Sequence, residues 1–125
     1  MEYIIKKIVI ILLILLSNSK SYAFDDLTKT DIVLQTTYTL LHIIDWGTTL
    51  DIAKSKNKKI ESNAIMSRHP SIATVNTYMA STLVMQTLVT YALPKDYRVY
   101  WQILGILLEG SCVYNNYNIG LRMNF

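Results

Sequence analysis

Between residues 31 and 114 the chain carries three long apolar-rich stretches, 31–53, 71–93 and 99–114, separated by one basic loop and one proline. The first two lack the two-residue alternation of a half-buried strand and read as helices. Each stretch is close to the roughly 20 residues a helix needs to cross a hydrocarbon core, the third being the shortest. With 51% hydrophobic residues and a mean hydropathy of +0.25 in 125 residues, the pattern predicts an all-α membrane protein with three transmembrane helices. Backbone groups in lipid can be satisfied within a helix, which supports the same expectation. Thr30-Asp31 is placed to cap the first helix and Ser71, after Pro70, the second. Pro94 ends the second helix, and the short Pro94-Lys95-Asp96 link makes the second and third antiparallel neighbours.

Residues 1–23 have the organisation of an export signal: basic Lys6 and Lys7, an apolar run from Ile8 to Leu16, and Ser21-Tyr22-Ala23 before Phe24. The run is too short to span a bilayer. The expected organisation is therefore a signal peptide, 1–23, followed by a three-helix transmembrane domain, 24–125.

Charge orients the three spans. The loop 54–70 holds Lys54, Lys56, Lys58, Lys59 and Arg68 against the single acid Glu61, so the positive-inside rule assigns it to the cytoplasm and the protein to a bacterial inner membrane. Asp25, Asp26 and Asp31 at the mature start suit the outer side, with Tyr97, Tyr100 and Trp101 as an outer aromatic belt. The net charge of +3 does not mark a nucleic-acid partner, because removing residues 1–23 leaves nine cations against eight acids. Cys112 is the single cysteine, so no intramolecular disulfide is possible. One feature points elsewhere. The tail 117–125 alternates apolar and polar residues and ends in Phe125, as the last strand of an outer-membrane barrel does. The continuous apolar runs upstream make that the minor alternative.

The helices carry ordered polar residues. At 100° per residue, Gln35, Thr39, His42, Asp45 and Thr49 share one side of the first, and Gln102, Glu109 and Asn116 one stripe of the third. The second has a small-residue ridge, Ala73, Thr77 and Ser81. Turning the two stripes inward brings Asp45 and Glu109 to comparable depth, with His42 one turn away. The candidate polar site is His42, Asp45, Thr49, Glu61, Asn63, His69 and Glu109. No HxxxH, HExxH or CxxC spacing and no glycine-rich phosphate loop is present, so no metal, cofactor or catalytic residue is assigned.

The segments Asp45-Trp46-Gly47-Thr48-Thr49, Glu61-Ser62-Asn63-Ala64-Ile65-Met66-Ser67-Arg68-His69-Pro70-Ser71, Val75 and Tyr78 resemble small helical membrane proteins of bacteria and phages. Their pattern runs near D-W-x-Q-T, E-x-N-P-I-L-G-x-H-P-S and V-x-x-Y, and no activity is attached to it. Thr48, Ala64 and Ser67 depart from it, standing where the pattern has Gln, Pro and Gly. The resemblance implies a shared polar skeleton of Asp45, Trp46, Thr49, Glu61, Asn63, His69, Pro70 and Glu109. A clasp joining the loop to the first helix through Asp45 would follow, with Glu61 and Asn63 serving the free amides of the second helix.

Small size, the small-residue ridge and the lack of catalytic spacing favour a non-catalytic interaction or assembly protein, embedded in the lipid bilayer as a homo- or hetero-oligomer. A compact membrane-embedded hydrolase or metal-binding enzyme using the acidic and histidine cluster is the first alternative. An ion path or permeabilising protein is the second.

Overall fold

The computed structural model describes residues 25–55, 59–63 and 65–125. The export signal, including its cleavage position, lies outside them. The described residues form three helices: α1 (Lys29–Lys54), α2 (Ile72–Ala92) and α3 (Lys95–Asn118). α1 starts at Lys29, two residues earlier than the sequence suggests. Thr28, not Thr30, is its N-cap, and Asp31 closes a capping box: Thr28 Oγ1 accepts from the Asp31 amide while the Asp31 carboxylate accepts from the Thr28 amide. Ser71 caps α2 as expected, accepting from the Thr74 amide. Pro94 cannot extend α2 and serves instead as the N-cap of α3.

The expected membrane spans do not hold: among the described residues no helix is long and apolar enough to cross a membrane. Length is not the obstacle, since 26, 21 and 24 residues each rise about 30 Å or more at 1.5 Å per residue. Apolarity is. Gln35, His42, Asp45 and Asp51 interrupt α1, Asn76, Ser81 and Gln86 interrupt α2, and Arg98, Gln102, Glu109 and Asn116 interrupt α3. The transmembrane fold class, the inner-membrane location and the cytoplasmic side assigned to loop 54–70 all rested on those spans, and they fall with them.

α1 is the central helix, packed along α3 and more lightly along α2, whereas α2 and α3 barely touch. The short link thus joins two helices that lean on a third, leaving a groove between them. The small-residue ridge of α2 does not mediate packing: Ala73, Thr77 and Ser81 are exposed, and Val75, Met79, Gln86 and Thr90 face inward.

The one apolar cluster of buried residues lies where the loop tucks under α1 and α2, built from Leu50, Met66, Val75 and Met79. At the opposite end the interior is polar. Arg98, with no exposed surface, donates to the Asp31 carboxylate at 3.2 Å and to the carbonyls of Thr90 at 2.9 Å and Leu93 at 3.3 Å. It therefore ties the start of α1 to the open carbonyls at the end of α2. The tail after α3 is neither a strand nor frayed. It lies on α1, with the Asn124 amide donating to the Gly47 carbonyl at 3.0 Å and Lys54 Nζ to the Asn124 carbonyl at 2.8 Å. Gly47 admits the Phe125 ring there, since a Cβ would sit 2.7 Å from Phe125 Cε2.

Candidate functional site

The 102–109–116 stripe of α3 meets the polar side of α1 rung by rung. Gln102 Nε2 donates to the Asp31 carbonyl at 2.8 Å. One heptad on, Glu109 Oε1 lies 2.8 Å from His42 Nδ1. One heptad further, Asn116 Nδ2 donates to Asp45 Oδ1 at 2.7 Å and Thr48 Oγ1 at 2.9 Å. A seven-residue step keeps the same helix face, so the pairing follows from spacing.

At the two lower rungs the helices part around a cavity of about 340 Å³. α1 contributes His42, Asp45 and Thr49, α2 Tyr78, Met79 and Thr82, α3 Glu109, Cys112 and Asn116, and the loop Glu61, Asn63 and Met66. Six of the seven residues expected from sequence, His42, Asp45, Thr49, Glu61, Asn63 and Glu109, thus converge on one space. His69 does not; it is exposed on the loop.

The expected clasp takes a different form. Glu61 Oε1 accepts the Asn63 amide of its own loop at 2.8 Å, and Asn63 Nδ2 donates to the Tyr78 hydroxyl oxygen at 3.0 Å. The loop is therefore fastened to the side of α2, whose free amides are served by Ser71.

His42 is buried and held at both ring nitrogens. Nε2 lies 2.9 Å from the Met79 carbonyl, which can only accept, so Nε2 carries a hydrogen. One proton is then shared between Nδ1 and Glu109 Oε1. Burial pushes the His42 pKa down, but the Glu109 carboxylate bonded to Nδ1 outweighs it and the net shift is upward. Asp45 behaves oppositely to an ordinary carboxyl group. Burial above all, and then the charge of Glu109, push its pKa up to about 7. Glu109 Oε2 is buried without a hydrogen-bond partner among the described residues.

The cavity can therefore hold and exchange protons near neutrality, and its thiol is not activated. Burial, reinforced by Asp45 and Glu109, pushes the Cys112 thiol up to about 11, the reverse of what a reactive cysteine needs. The Thr82 hydroxyl donates to the Tyr78 and Met79 carbonyls of its own helix. Nor does any group of three His, Cys, Asp or Glu among the described residues stand close enough to hold a metal ion. Sequence reasoning did not assign Tyr78, Met79 or Asn116 to the site. Asn116 was findable, since it continues the Gln102–Glu109 heptad, whereas the Met79 carbonyl carries no side-chain signal.

No protein family matches the chain, and no curated protein or solved structure is similar to it. Fold and site together define, among the described residues, three helices whose interior is a hydrogen-bonded polar ladder ending in an acidic cavity.

Proposed function

We propose that the protein is a non-catalytic assembly subunit that associates with copies of itself through the outer face of α2 and α3. The observation that carries this is the groove between those helices, about 330 Å³, walled by Met85, Val89, Trp101, Leu104 and Leu108. Gln86 lies along it, and its Nε2 is buried with no acceptor among the described residues. A buried donor left unpaired costs about 1–3 kcal/mol, which an acceptor on an incoming chain removes. The walls are apolar and open: Met85 and Leu108 are each 60% exposed and Leu104 51%. Contiguous apolar surface of this kind marks an interaction site.

A second copy suits this face because the face carries no charge. α2 has no charged residue along its length. Between Val99 and Tyr114 the only one is Glu109, which is bonded inward to His42. Identical surfaces meet across a two-fold axis, so a charge close to that axis would oppose its like. The Leu104–Leu108 ridge of one subunit can enter the groove of its partner while the partner's ridge enters the first. Sedimentation equilibrium of the purified full chain tests this. A mass that is an integral multiple of the monomer supports it, and a lone monomer at every concentration overturns it.

A further inference from the structure

The cavity at the acidic end of the ladder meets that groove only at Thr82 and Glu109, and the rest of its lining selects a different partner. Three carboxyl groups, Asp45, Glu61 and Glu109, face it, and no described lysine or arginine lines it. Among the described lining residues His42 is the one basic group, and its two ring nitrogens are already engaged by Glu109 and the Met79 carbonyl. With Glu109 paired to His42, the carboxyl groups of Asp45 and Glu61 have no cationic partner among the described residues. Asp45 is 91% buried (relative exposure 9%). Its Oδ1 takes the Asn116 amide, and no described residue donates to its Oδ2. Glu109 Oε2 is buried and has no donor among the described residues. Burial of unpaired acceptors is costly unless something bonded to them offsets it.

We propose that this cavity binds a small primary ammonium ion bearing a short apolar stem. A metal ion does not fit, because the carboxyl groups and His42 are too dispersed to form a coordination set among the described residues. An ammonium group fits, since it has three diverging donors that can reach separate acceptors on α1, α3 and the loop. Met66, Met79 and Tyr78 form the apolar part of the wall against which the stem packs. At about 340 Å³ the cavity sits at the small end of ligand pockets, which run from roughly 300 to 1,000 Å³.

The test titrates the purified full chain with n-butylammonium, with n-butanol as the uncharged control, read by calorimetry and by the NMR shifts of the Met66 and Met79 methyl groups. Butylammonium should bind with affinity on the order of millimolar, as expected for a fragment, and butanol should not. Asp45→Asn and Glu61→Gln should each weaken binding about tenfold or more, the loss of one charge-assisted hydrogen bond. Asp45→Asn keeps the acceptor for Asn116, so its fold is retained; should it not fold, Glu61→Gln alone decides. Leu104→Arg, which breaks the proposed assembly face without touching the cavity lining, should leave amine binding intact, so the two proposals fail separately. Equal binding of butanol, no amine binding by the folded protein, unchanged affinity in the variants, or displacement of the amine by magnesium or zinc would overturn the assignment.

Discussion

Asn116 reaches across from α3 to hold Asp45 with a single 2.7 Å hydrogen bond, and that bond is the only one a described residue donates to a carboxyl group that is 91% buried. A carboxylate taken this far out of water needs more than one donor to remain ionised as readily as in solution. The site is thus under-satisfied at Asp45, and stability there is given up for an acceptor that faces the cavity.

The consequence for pH has a definite sign. Folded Asp45 holds its proton from the ordinary carboxyl value of 3.8 up to about 7, whereas the unfolded chain releases it near the lower value. Stability contributed at this position falls as pH rises through that window and stays low above it, by roughly 4 kcal/mol at most. His42, whose pKa is raised, adds to the same trend, because its contribution is lost as pH rises through the folded value. Glu109, Glu61, Cys112 and Asn116 are the groups that face Asp45 from α3 and the loop. Asp45→Asn should therefore be more stable than the wild type at pH 8, by up to roughly 3 kcal/mol, with the difference shrinking toward pH 5. Urea unfolding at the two pH values measures it; a variant less stable at pH 8 would contradict the assignment.

Arg98 is the opposite case, a buried charge with its donors placed. It has no exposed surface and bonds to the Asp31 carboxylate and to the Thr90 and Leu93 carbonyls. Burial alone would raise the Asp31 pKa, but the Thr28 bonds and Arg98 bring the net value down. That contribution is present above the unfolded pKa and disappears as pH falls through the folded one. Arg98→Ala leaves Asp31 buried and unpaired, and should cost about 3–5 kcal/mol in chemical denaturation at pH 7. A loss below about 1 kcal/mol would show that the staple is dispensable.

Ser67 has φ +70°, the one non-glycine residue in the left-handed region among the described residues. A Cβ is disfavoured there by roughly 1–2 kcal/mol, and the position is where the resembled pattern carries glycine. Ser67→Gly should raise stability by about 0.5–1 kcal/mol after the added entropy of the unfolded chain is subtracted. A lower melting temperature than the wild type would contradict this.

The three described helices, the inward turn of the α1 and α3 stripes, and with it His42, Asp45, Thr49 and Glu109 at the cavity were legible because a polar residue repeated at helical spacing inside an apolar run has few reasons to face outward. The medium was not. Apolar stretches 31–53, 71–93 and 99–114 have the length of membrane spans, but their polar insertions lower the apolarity of each below what crossing needs, and length masked this. The packing partner of α3 was not legible either. The tight Pro94 link suggests an α2–α3 pair, yet the ladder Gln102–Asp31, Glu109–His42 and Asn116–Asp45 binds α3 to α1 instead. His69 failed for a simpler reason: its place beside Pro70 fixes a turn, and the turn directs it to the surface.

The proposed self-association rests on the α2–α3 face. Leu104→Arg puts a charge on the exposed wall of the groove, and Ile65→Arg puts the same charge on an exposed loop position outside its lining. Measured side by side by sedimentation equilibrium, Leu104→Arg should weaken self-association about a hundredfold or more, while Ile65→Arg should match the wild type. Equal association in all three proteins, or a wild type that never associates, would contradict the central claim.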